Sequence, residues 1–126
     1  MKVPSLRYAL RWFDPRTRKL GSWAFALNRL TALALSFYLA LHLVVLNRLT
    51  QGPQAYDAFV AYAQGSWIKA GEVALIAAVV LHGLNGLRLI LLAFGLGLRQ
   101  QKLLFALVLI ASTLVSILFA IRLFSQ

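Results

Sequence analysis

The chain has 126 residues, enough for one domain, with 61% hydrophobic and only 13% charged residues and a formal net charge of +10. That balance excludes an ordinary water-soluble globule, in which roughly a quarter of residues are charged, and places the chain in a membrane. It contains no cysteine, which excludes disulfides, thiolate-held iron-sulfur clusters, covalently attached c-type haem and the common zinc sites, so any metal chemistry must use histidine or oxygen ligands.

Residues 1–23 read as an arm at the membrane surface. The opening "MKVPSLRYALRWFDPRTRKLGSWAFALNR" mixes arginines with Tyr8, Trp12, Phe13 and Trp23, a composition that suits the headgroup zone, where amphipathic rings and snorkelling cations find partners. Pro15 disfavours helix at Asp14, and Gly21 punctuates again, so "FDPRTRKLG" reads as a turn. Docking a soluble partner is another use for such an arm. A cleaved signal peptide is not expected, because the first long apolar run starts about thirty residues in and is too long for an h-region.

The first span is expected at about 24–47, where Leu30 to Leu46 is apolar between Asn28-Arg29 and Asn47-Arg48. The connection that follows, "NRLTQGPQAYDAFVAYAQGSWIK", starts with a Gly-Pro turn and is expected to form a short interfacial helix around Tyr56, Phe59, Tyr62 and Trp67. A second span, about 70–96, contains "LHGLNGLRLILLAFG". The short link "GLGLRQQK" then makes an antiparallel hairpin with the third span, about 102–122, whose stretch from Leu103 to Ile121 carries no charge. Each run can cross a hydrocarbon layer about 30 Å thick at about 1.5 Å per helical residue. Backbone groups in lipid must be satisfied internally, so the expected fold is an all-α integral membrane protein with three transmembrane helices.

The basic residues are placed as a membrane protein places them, so no nucleic-acid partner is expected. Lys2, Arg7, Arg11, Arg16, Arg18, Lys19 and Arg29 precede the first span, and Arg88, Arg99 and Lys102 surround the second connection. The opposite side holds only Arg48, Lys69 and Arg122. The positive-inside rule then puts the N-terminus and second connection in the cytoplasm and the C-terminus outside. Asp14, Asp57 and Glu72 lie at or beyond membrane edges, which argues against an autonomous proton pump or ion transporter.

His42 and His82 fall inside apolar spans, where a polar side chain is costly and needs a partner. At about 100° per residue, His82 shares its face with Ala78, Asn85, Gly86 and Ala93, and His42 shares its face with Thr31, Leu35, Tyr38 and Leu46. Gly83 and Gly86 would let a large ring or another helix approach the backbone. Haem ligation by neutral imidazole accounts for such a histidine, and haem propionates would explain Arg29 and Arg88 nearby. Ordinary helix packing and snorkelling account for the same residues without a cofactor. If haem is bound through two imidazoles, either His42 and His82 share one iron at one depth, or each serves a separate haem completed by another polypeptide.

The run "HGLNGLRLILLAFG" resembles the second-helix signature of the succinate dehydrogenase cytochrome b membrane-anchor family, part of succinate:quinone oxidoreductase. In that signature a haem-ligating histidine is followed by glycine four residues on, then arginine, and later a Phe-Gly pair; His82, Gly86, Arg88, Phe94 and Gly95 match it. "SWAFALNRLTAL" resembles the first-helix entrance of the family through Arg29 and Thr31. The chain departs from the pattern at Phe25, Asn28 and Ala32, where the family has serine, histidine and glycine, and at Leu89 and Ala93, where it often has histidine and aspartate. The family's ubiquinone-site serine is therefore not carried over.

The resemblance implies a subunit of succinate dehydrogenase or fumarate reductase, in the cytoplasmic membrane of a bacterium or archaeon. It would bind b haem, help form the quinone site and anchor a flavoprotein and an iron-sulfur subunit beside a second membrane-anchor subunit. His82 would ligate the haem nearer the cytoplasm and His42 a more distant second haem. Arg29, Arg88, Thr31 and Tyr38 would contact propionates or quinone, with Gly86 and Ala78 packing on the haem face. The alternatives are a haem-free structural anchor or assembly subunit of another complex, and a cytochrome b anchor for a different dehydrogenase.

Overall fold

A computed structural model describes residues 20–125; the expected surface arm lies outside the described residues as far as residue 19. The described chain forms four helices, α1 (Leu20–Leu46), α2 (Pro53–Ala63), α3 (Ser66–Ala93) and α4 (Gln101–Phe124). Short 3-10 segments at Asn47–Gln51 and Leu98–Gln100 join them, and no strand occurs among the described residues. Three stretches, Gly21–Gln51, Ser66–Ala93 and Leu98–Phe124, are long and apolar enough to cross a membrane. With 27, 28 and 24 residues, α1, α3 and α4 reach about 36–42 Å, beyond a hydrocarbon core of about 30 Å, so their ends lie among headgroups or the helices tilt.

Local chemistry sets the helix boundaries. Gly52 takes a left-handed φ of +97° before Pro53, which opens α2 in the position where a missing N–H costs nothing. Helix α3 starts at Ser66 rather than near Ala70, because extended Gly65 offers its carbonyl to the amides of Ile68 and Lys69. Trp67 therefore belongs to the first turn of a span instead of to the short interfacial helix. The same span ends at Ala93 rather than near residue 96. There Gly95, at φ +79°, lets its amide reach Leu92 O and the Leu96 amide reach Leu91 O, which closes the helix with a left-handed cap.

Helix α3 is the central element, packing most extensively against α4, next against α1, while α1 and α4 touch only slightly. The antiparallel α3–α4 hairpin forms as its short link requires. At its far end Lys69 Nζ donates to Leu123 O at 3.3 Å, placing a cation beside the last carbonyls of α4. The buried side chains are unusual in kind. Among the described residues, apolar burial is confined to Ala24, Phe105 and Val108, whereas Thr31, Asn85, Arg88 and Ser112 are the buried polar groups. Large apolar residues such as Leu33, Phe37, Leu43 and Leu118 point outward. An exterior this apolar is stable only against lipid or partner helices.

The α3–α4 turn depends on Gly97, whose φ is +75° and whose added Cβ would lie 2.6 Å from Leu104 Cδ1. Gly97→Ala should lower bundle stability by about 1–2 kcal/mol through left-handed strain. Gly71→Ala, on helical backbone with open space around it, should leave stability unchanged or slightly raised. Detergent-titrated unfolding followed by circular dichroism measures both.

Candidate functional site

A line of polar contacts runs through the bundle where α1 crosses α3. Ala24, Asn28 and Thr31 recur at helical spacing along α1 and face His82 and Asn85 of α3. His82 Nδ1 lies 3.2 Å from Asn28 O and 3.2 Å from Thr31 Oγ1. A carbonyl can only accept, so Nδ1 carries the proton and donates to Asn28 O. The Thr31 hydroxyl spends its own hydrogen on Leu27 O at 2.8 Å, with Asn28 O also within reach at 3.0 Å, and turns a lone pair toward the imidazole. In the neutral imidazole this tautomer leaves the lone pair on Nε2. A histidine that ligates a metal shows the same division, one ring nitrogen tied to a backbone carbonyl and the other open to the metal.

One turn further along α3, Asn85 is 1% exposed and donates from Nδ2 to Ala24 O at 2.9 Å. Ala24 itself is completely covered. Arg88 follows and turns away from α1 toward α4. Its guanidinium donates to Asn85 Oδ1 at 3.5 Å and to Gln101 O at 3.4 Å, and its Cζ lies 5.4 Å from the centre of the Phe105 ring. The residues His82, Asn85 and Arg88, three apart, therefore wind around α3 from the α1 contact to the α4 contact. Asn28 Oδ1 and Arg88 Nε are buried without a partner among the described residues, so this polar line has unused donor and acceptor capacity.

The other expected site residues are spread apart. Arg29 lies at the α1 surface with Cζ 4.4 Å from the centre of the Phe25 ring, a cation-π contact. Gly86 and Ala78 are partly covered along the His82 side of α3, and open space surrounds both Gly83 and Gly86. Tyr38 and His42 are exposed on α1, their rings stacked with centroids 5.6 Å apart and Tyr38 OH 3.5 Å from His42 Nδ1. His42 lies about 16 Å along α1 from Thr31, at about 1.5 Å per residue, whereas His82 is level with Thr31. The two imidazoles occupy different depths, so one chain cannot offer both to a single iron.

Asn85 and the backbone carbonyls of Ala24, Asn28 and Gln101 had no assigned role in the sequence. Asn85 carried a usable signal, since an amide side chain at membrane depth seeks a partner on another helix. The carbonyls carried none, because every residue has one.

Three helices long and apolar enough to span a membrane, joined through a buried polar line beneath an apolar exterior, define an integral membrane protein. The chain belongs to the succinate dehydrogenase/fumarate reductase transmembrane subunit family, whose model matches residues 12–119. It is 35% identical over 82 residues to the "succinate dehydrogenase hydrophobic membrane anchor subunit" of Halobacterium salinarum, covering 64% of this chain and 63% of that protein. It is also 34% identical over 84 residues to the "succinate dehydrogenase 2 membrane subunit SdhC" of Mycobacterium tuberculosis, covering 66% of this chain and 62% of that one. The matched region thus spans somewhat less than two thirds of either relative's length.

Asn85→Ala removes the α1–α3 bond to Ala24 O and leaves one Arg88 nitrogen without its acceptor. The variant should lose roughly 1–2 kcal/mol of bundle stability, read from unfolding in mixed micelles, and α1 should separate from α3 before α3 separates from α4.

Proposed function

We propose that the chain is the cytochrome b membrane anchor of a succinate:quinone oxidoreductase, working in succinate oxidation or fumarate reduction. The observation that carries this reading is His82, whose Nδ1 proton is tied to Asn28 O within an apolar span, with the Nε2 lone pair left for another partner. Bound b haem would supply a one-electron carrier inside the membrane. His82 would hold its iron from one side, and an imidazole of the second anchor subunit would complete the pair. Gly86 and Ala78 would leave room for the flat ring along α3.

His42 serves a second b haem in this reading, because its exposed position on α1 and its distance from His82 require a ligand or helix supplied by another chain. Arg29 is the cation closest in α1 sequence to the Asn28–Thr31 contact and would pair with a propionate or the quinone headgroup. Thr31, Arg88 and Tyr38 would set the polarity around these groups. The soluble flavoprotein would oxidise succinate and the iron-sulfur subunit would relay electrons, with this chain fastening both to the cytoplasmic face of a bacterial or archaeal membrane. Quinone reduction also takes up protons, and the polar line near Arg29 is where this chain would meet them.

A second reading follows from the same contact, since a hydrogen bond from His82 to α1 also serves plain helix packing. In that case the chain is a haem-free anchor. Haem counted per chain by pyridine haemochrome on the purified complex, with the copurifying subunits identified, separates the two.

His82→Ala should remove one b haem per chain while the spans stay inserted; unchanged haem content would contradict its role as a ligand. His42→Ala should remove the second haem and leave the first, and retention of both would end the two-haem reading. Arg29→Ala should slow quinone reduction by about tenfold or more if the lost contact is a charge-assisted hydrogen bond to quinone. Loss of haem in that variant would instead assign Arg29 to a propionate.

A further inference from the structure

We propose that the cleft between the α3–α4 turn and the start of α1 binds the phosphate headgroup of an anionic phospholipid. The cleft has a volume of about 620 Å³, and its described walls include Gly21, Arg88, Arg99, Gln101 and Lys102. Three cations therefore surround one space. The carboxylates among the described residues, Asp57 and Glu72, sit on α2 and on the first turns of α3, at the opposite end of the bundle from Arg88.

Backbone adds to the side-chain charge. Gln101, Lys102 and Leu103 open α4, a helix of 24 residues, and all three line the cleft. Gln100 at the cap makes no side-chain hydrogen bond to them. Their amides have no acceptor earlier in the helix, and they carry the positive end of its dipole. Arg88 supplies the independent sign that an anion belongs here. It is 5% exposed and has no counter-charge among the described residues, and its Nε lacks a partner while its two terminal nitrogens hold Asn85 and Gln101. A buried cation in that condition is costly, and an anion received between Arg88, Arg99 and Lys102 relieves it.

The surroundings select a lipid over a free ion. Leu98 and Leu103 also line the cleft and remain more than half exposed, at 53% and 56%. They continue its wall onto the apolar outer surface of α4, so a headgroup can enter while its acyl chains lie along the span. Arg88 lies within the bundle, five residues before the end of α3 at Ala93. Basic pockets between helix ends are a recognised setting for anionic headgroups. Every group in this site belongs to the chain itself, and Arg99 and Lys102 have no part in the proposed haem or quinone sites.

The test uses the full chain purified in its native membrane complex, stripped of lipid by detergent exchange. Phosphatidylglycerol, phosphatidylcholine and inorganic phosphate are then added separately, and bound lipid is counted by native mass spectrometry. Phosphatidylglycerol should bind saturably at one per chain, and R99Q/K102Q should weaken it about 30-fold, equivalent to about 2 kcal/mol. Arg48→Gln, at the other end of the bundle, should leave it unchanged. Equal phosphatidylglycerol binding by wild type and R99Q/K102Q would overturn the proposal, as would phosphatidylcholine binding as well as phosphatidylglycerol. Displacement of the lipid by millimolar phosphate would make the site one for free anions. Loss of the soluble subunits from R99Q/K102Q at an unchanged lipid count would assign the cations to an acidic protein partner.

Discussion

Polar groups withdrawn from water and from lipid must find one another, and in this chain that requirement determines how the helices meet. Asn85 satisfies its amide by reaching Ala24 O, which brings α1 onto α3. His82 and Thr31 meet one turn away through the same packing, and Arg88 extends the line to Gln101 at the start of α4. Apolar side chains cannot supply such direction in a membrane, where lipid tails are as favourable a neighbour as another leucine. The interior is therefore marked by its polar atoms, while the leucines, isoleucines and valines cover the outside.

That inverted arrangement also accounts for how incomplete the chain is by itself. Helix α1 touches α3 along one face and α4 hardly at all, and much of its length is exposed. Tyr38 and His42 lie on this uncovered surface, stacked on one another. An imidazole facing lipid is unfavourable, so the surface suits another helix better than acyl chains. His42 and His82 lie at different levels of the bundle, so no single iron could join them within one chain.

The end of the bundle near the α3–α4 turn combines two roles in one short sequence. Gly95 and Gly97 provide the left-handed backbone that stops α3 and restarts the chain as α4, so the Phe-Gly pair of the family signature has a structural explanation in its glycine. The same reversal brings Arg99 and Lys102 beside Arg88. A turn built for geometry thereby gathers charge at one end of the bundle. Membership of the transmembrane subunit family is consistent with this division between a conformational signature and a cluster of cations around it.

The spans, their helical form and the short hairpin were legible in the sequence, because hydropathy and length are read directly from composition and lipid permits a single solution for an isolated segment. Both intramembrane histidines and Arg88 could be singled out for the same reason, as polar residues where none is cheap. Only the tertiary structure decided which helix each of them faces. Arg88 stands close to His82 in sequence, yet the turn of α3 points one toward Gln101 and Phe105 and the other toward Asn28 and Thr31. The tautomer of His82 was equally out of reach, since a backbone carbonyl on α1 sets it, and carbonyls leave no trace in a sequence. Periodicity assigns residues to a face of one helix; the partner of that face is chosen by contacts between helices, which exist only after they pack.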